Sequence, residues 1–136
     1  MIFVDTGAWI ALTDKNDKYH EDAIRIYTFL KQQKKHLLTT DYVLDETFTR
    51  LRYDSSHDIA TRFLDVVTLT SKTDILQIVY TEYNIFYDAT VIFRKYETAV
   101  LSFTDCVSFA VCKKYEIHKA FGFDSHFPMM GISLIM

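Results

Sequence analysis

Four carboxylates stand where they could share one site: Asp5, Glu46, Asp105 and Asp124. Asp5 closes the apolar run Ile2-Phe3-Val4, and Asp124 closes Ala120-Phe121-Gly122-Phe123. Asp105 begins a helical stretch, and Glu46 falls in the second turn of the helix after a second β-rich run. Ligands of open parallel sheets bind outside the carboxyl ends of the strands, and all four acids can reach that end. Gathering them is costly, because two unit charges about 4 Å apart repel by roughly 4 kcal/mol at a dielectric near 20. Protonation or a hard divalent cation relieves the repulsion. Ligation by oxygen alone selects Mg²⁺ or Mn²⁺ over zinc.

Each acid also has an ordinary explanation. Asp5 can cap the short helix that follows it, and Asp124 can cap the turn at Asp124-Ser125. Ser102-x-x-Asp105 fits a capping box, and Glu46 with Arg50 fits an i,i+4 ion pair. Spacing alone leaves both readings open. The histidines at 20, 36, 57, 118 and 126 lack the spacing of a zinc site, and Lys31, Lys34, Lys35 and Lys113-Lys114 read as solvated helix ends. Arg50 and Arg52 share the helix of Glu46, where they either reach phosphates or remain solvated.

The elements that would position these residues alternate. Continuous apolar runs suit buried strands: Ile2 to Val4, His36 to Thr40, Ile75 to Tyr80 and Lys119 to Phe123, with a terminal one from Ile132 to Met136. Between them, apolar residues recur at helical spacing, from Gly7 to Thr13, through Tyr19, Ala23, Ile26, Tyr27 and Leu30, and after an expected N-cap at Asp41. Further helices are expected from Ser56 or Asp58, over Thr81 to Tyr96, and over Thr104 to Tyr115. The order β-α-α-β-α-α-β-α-α-β-β predicts an α/β fold, a three-layer α/β/α sandwich with a mostly parallel central sheet. The stripe widened by Tyr83, Tyr87 and Val91 is broad enough to contact a second subunit.

With 136 residues, the chain fits one domain over 1–136 and can bury a core without disulfide or zinc staples. A composition of 49% hydrophobic and 24% charged residues excludes a disordered chain. Three glycines and one proline argue against an all-β fold. A net charge of -3 supplies no global field for nucleic acid, so any such binding must be local. No basic leader precedes Asp5 and no apolar run is long enough to span a bilayer, which predicts a cytoplasmic protein with no membrane contact. Cys106 and Cys112, six apart on an expected helix, should point to different sides and remain free thiols, as suits a reducing compartment.

At these same residues the chain resembles the PIN-domain ribonucleases, and more closely the VapC-type toxins of type II toxin-antitoxin modules. The resemblance runs through Phe3-Val4-Asp5-Thr6-Gly7-Ala8-Trp9, Tyr19-His20-Glu21-Asp22-Ala23 and Thr39 to Thr47. It continues through Leu101 to Ala110 and Ala120 to Phe127. It implies a PIN-like fold and metal-dependent endoribonuclease activity, in which Asp5, Glu46 and Asp105 bind Mg²⁺ (or Mn²⁺) and Asp124 completes the acidic site. Thr6 and Thr104 stand where the family places a hydroxyl beside its acids, which implies a supporting role for each. It also implies an RNA substrate, a small cognate antitoxin and pairing into a homodimer. A housekeeping PIN-type RNA-processing nuclease and a non-nuclease phosphoacceptor or RNA-binding α/β domain are the alternatives. The receiver form of the phosphoacceptor expects a strand-end lysine that Lys72 and Lys95 fit poorly.

Overall fold

The computed structural model of the chain covers residues 1–136. Its order is β1 (Ile2–Val4), α1 (Thr6–Thr13), α2 (His20–Gln32), β2 (Leu37–Thr40), α3 (Asp41–Asp54), α4 (His57–Thr70) and β3 (Leu76–Val79). There follow α5 (Tyr83–Lys95), α6 (Phe103–Lys114), β4 (Lys119–Phe121), α7 (His126–Met129) and β5 (Ser133–Leu134). The strands form one sheet in the order β3-β2-β1-β4-β5, and every neighbouring pair is parallel. Residues of β1 and β2 are buried throughout, as expected of strands covered by helices on both faces. This is the expected α/β architecture.

The strand order fixes where a ligand can bind. From the central β1 the chain builds outward on one side through β2 and β3, then crosses over to build β4 and β5 on the other. Connections therefore leave β1 and β4 in opposite directions, opening a crevice at their carboxyl ends. The two strands stay paired up to that crevice, where the Asp5 amide donates to the Phe121 carbonyl at 3.0 Å.

Several boundaries differ from the sequence reading for identifiable reasons. Helix α3 is capped by Thr40, whose Oγ1 accepts the Val43 amide at 3.1 Å, and not by Asp41. The Asp41 carboxylate instead accepts the Thr81 amide and hydroxyl at 3.1 and 2.6 Å, tying the start of α3 to the end of β3. That partner lies forty residues away, beyond the reach of local capping rules. Strand β4 stops at Phe121 because the chain turns out of the sheet at Gly122. The short α7 is an addition to the expected order. Adjacent parallel strands cannot be joined by a tight turn, so β4 and β5 need this crossover. Ser56 does cap α4, accepting the Ile59 amide. Cys106 and Cys112 are both buried and free, and burial pushes their thiols up to about 11 and about 12.

One buried polar link ties the sheet to α1. The Thr39 hydroxyl, fully buried, donates to the Val4 carbonyl at 3.0 Å and accepts from Trp9 Nε1 at 3.3 Å. Thr39→Val preserves shape but strands the indole N–H in the core, an expected loss of about 1–3 kcal/mol by guanidinium unfolding. Unchanged stability would show that the link contributes nothing.

Candidate active site

Asp5 occupies the N-cap position of α1 without acting as its cap. Its backbone is extended and its carbonyl accepts the Ala8 and Trp9 amides at 3.1 and 3.2 Å, yet the carboxylate makes no capping hydrogen bond. The side chain is thus a buried acid with no structural duty at the helix end. Gly122, beside it on the β4 side, explains how it fits. A Cβ at Gly122 would come within 3.0 Å of the Asp5 Cβ, so only glycine lets the two chains close at this spacing. The adjacent Thr6 is buried, and its Oγ1 has no hydrogen-bond partner.

Asp105 and Asp124 combine both kinds of duty. The capping box is real: Ser102 Oγ accepts the Asp105 amide at 3.0 Å, and Asp105 Oδ2 accepts the Ser102 amide at 3.0 Å. One carboxylate oxygen anchors the start of α6 and Oδ1 is left over. Asp124 Oδ1 accepts the His126 amide at 2.9 Å, which shapes the turn into α7. His126 Nδ1 lies 3.0 Å from the same oxygen but is not aligned with it as a hydrogen bond. Glu46 projects from α3, half-buried, and forms no ion pair with Arg50, since the pairs present are Arg25–Asp22 and His126–Asp124.

These side chains converge on one cleft of about 370 Å³, whose walls include Asp5, Thr6, Glu46, Arg50, Asp105 and Asp124. Arg52 and Thr104 stand outside that lining: Arg52 is exposed elsewhere on α3, and Thr104 is half-buried at the start of α6. Asp105, Asp124 and His126 offer potential ligand atoms all within 4.8 Å of one another, and Asp5 and Glu46 line the same cleft outside that group. His126 is the residue that sequence reading passed over. Its two-residue offset from a strand-end acid, in Asp124-Ser125-His126, was the available signal. A larger hollow of about 800 Å³ lies at the amino ends of β4 and β5, away from the acids.

The convergence has an electrostatic signature. Burial is the main cause that pushes Asp5 from 3.8 up to about 7, opposed by the Thr6 backbone amide and reinforced by the charges of Asp105, Glu46 and Asp124. Asp105 is raised as well, first by burial and then by Asp124 and Glu46, against its bonds to Ser102. The donors are oxygens apart from one imidazole, and burial together with the neighbouring carboxylates favours the protonated forms of Asp5 and Asp105. Such a set fits a hard divalent cation.

Known proteins share this fold. The crystal structure of Mycobacterium tuberculosis VapC20, described as a sarcin-ricin loop cleaving toxin, superposes with a TM-score of 0.85 at 28% identity, covering 97% of this chain and 96% of that one. The VapC20 sequence, named a 23S rRNA-specific endonuclease, is 33% identical over 136 residues in two strains, spanning 96% of this chain and 95% of the relative. A VapC ribonuclease of Archaeoglobus fulgidus is 30% identical over 132 residues, covering 95% of this chain and 80% of its own length. The PIN domain profile matches residues 2–132. With its acids gathered at the β1/β4 crevice, the chain belongs to the PIN domain family.

Proposed function

We propose that this chain is a divalent-metal-dependent endoribonuclease that hydrolyses RNA phosphodiester bonds as the toxin of a type II toxin-antitoxin module. The observation that carries this reading is the convergence of four carboxylates from four separate segments on one cleft at the β1/β4 crevice. The relatives named VapC ribonuclease and endonuclease support the substrate class and the antitoxin partner. Asp5, Glu46, Asp105 and Asp124 would hold the cation, Mg²⁺ or Mn²⁺, and the raised Asp5 and the partnerless Thr6 hydroxyl are what an oxygen-ligated cation site leaves behind. When bound, such a cation supplies an activated water and stabilises charge on the departing oxygen.

The remaining roles belong to the chain. Asp5 gives up its proton to bind, and its carboxylate then fixes the site against the end of β1. Arg50, on the cleft wall one turn from Glu46, contacts a flanking phosphate; Arg52 would do so only farther along the strand. Thr6 offers its hydroxyl to a bound water or phosphate oxygen, and Thr104 supports the first turn of α6 beside Asp105. The whole of 1–136 serves as one nuclease domain. No helix is long and apolar enough to cross a membrane, and a cytoplasmic location is part of the same proposal.

Purified protein is expected to cut RNA with added Mg²⁺ or Mn²⁺ and to stop in EDTA, with 23S rRNA as the first substrate to offer. Asp5→Asn and Asp105→Asn should each lower cleavage by roughly 100-fold or more while far-ultraviolet circular dichroism stays unchanged. Full activity in both variants would remove these residues from the site.

The raised Asp5 also sets the sign of the pH dependence. Between its ordinary value of 3.8 and about 7, the folded chain keeps a proton that the unfolded chain has released. Metal-free stability therefore falls as pH rises through that window, by at most on the order of 4 kcal/mol. In EDTA, melting curves should move down between pH 5 and pH 8. Asp5→Asn should melt above the native protein at pH 8, and Mg²⁺ should recover much of the difference in the native protein alone. A flat native profile, or an Asp5→Asn protein that melts lower, would contradict the assignment.

Pairing of two copies through α5 is the proposed oligomeric state. Tyr83, Tyr87 and Val91 are 81%, 56% and 48% exposed, and Phe86 and Phe93, which touch Phe103, are exposed on the same helix. Sedimentation at tens of micromolar should give a dimer that Tyr87→Glu dissociates. A native monomer at that concentration would exclude it.

A further inference from the structure

We propose that the stacked pair Tyr19 and Phe123 is a platform on which an unpaired RNA base beside the scissile phosphate stacks, an inference that rests on the nuclease reading above. The two rings lie face to face, with centroids 4.3 Å apart and planes 5° from parallel. Both line the same cleft as Asp5, Glu46, Asp105 and Asp124. Phe123 is the inner half of the stack: Phe121 meets it edge-on at 6.5 Å, and a Cβ placed at Gly7 would touch its ring at 3.9 Å. The outer ring is that of Tyr19, a residue 36% exposed, with the Lys18 ammonium 4.9 Å from the ring centre.

That ammonium is easily displaced. Lysine carries its charge on a flexible, strongly hydrated stem, so a base can take its place on the ring and free it to pair with the adjoining phosphate. The backbone that carries the ring is held firmly. The Tyr19 amide donates to Asp17 Oδ1 at 2.9 Å, its carbonyl accepts the Ala23 amide at 2.8 Å, and the next residue, His20, contacts the Ala11 carbonyl through Nδ1 at 2.6 Å. A strand that brings a phosphodiester to the acids must lay its neighbouring bases along these walls. Base stacking is also the usual means of holding single-stranded or looped RNA, and it works for any base because each has a flat face. Tyr19 thus supplies binding and register without hydrogen-bond readout, which a chain of net charge -3 needs in place of a broad basic surface.

The test uses a synthetic oligoribonucleotide that spans a cleavage site mapped by sequencing RNA ends, together with versions carrying one abasic nucleotide at each position near the cut. Tyr19→Leu should lower kcat/KM about tenfold on the intact RNA, chiefly through KM, while Tyr19→Phe stays within about twofold. One abasic position should cost the native enzyme a similar factor and cost Tyr19→Leu almost nothing further. Additive losses, or a Tyr19→Leu enzyme as active as the native one, would overturn the platform while leaving the nuclease intact. If Tyr19→Leu cleaves normally but escapes inhibition by the antitoxin, the pair is a protein contact and the RNA role is refuted. Failure of the native enzyme to cleave any RNA would overturn the nuclease reading and the platform with it.

Discussion

Mutual repulsion among buried and half-buried carboxylates is the constraint around which this molecule is arranged. Asp5 sits at the end of the central strand with almost no exposure, within the field of Asp105, Glu46 and Asp124. The Thr6 amide at the start of α1 offsets part of that charge, and no basic side chain pairs with it. Burial and like charges still hold a proton on Asp5 up to about pH 7. A fold selected for stability alone would place a neutral side chain there, and keeping the acid is the stability cost that the proposed cation site would explain.

The sheet makes such an arrangement possible. The order β3-β2-β1-β4-β5 puts β1 beside β4, and chain crossing opens a crevice at their carboxyl ends. Asp5 enters from one lip and Asp124 from the other, with the Asp5 amide bonded to the Phe121 carbonyl as the seam between them. Gly122 lets the lips close to that distance. Helices α3 and α6 bring Glu46 and Asp105 from the sides. Asp105 also serves two places at once, closing its capping box with one oxygen while its side chain lines the cleft.

Much of this is legible in the amino-acid order. The apolar run before Asp5 and the one before Asp124 announce buried strands that end in acids, and period-2 against period-3.6 patterning separates strands from helices across the chain. What escapes is set by contacts distant in sequence or by elements too short to show a period. Asp41 reads as a cap until Thr81, forty residues on, is found holding it. The four-residue α7 carries no helical stripe, and the approach of His126 to Asp124 and Asp105 follows from its turn. Glu46 and Arg50 have the spacing of an ion pair, yet both line the cleft without pairing. The stack of Tyr19 on Phe123 joins residues 104 positions apart, so no local pattern foretells it.

The central claim is that the four carboxylates form one cation site with Asp5 at its base. Anomalous diffraction from crystals soaked in Mn²⁺ tests it most directly. The expected result is a manganese peak ligated by Asp5 together with at least one of Asp105, Glu46 and Asp124. A peak held by Asp124 and His126 without Asp5, or no peak at saturating Mn²⁺, would contradict it.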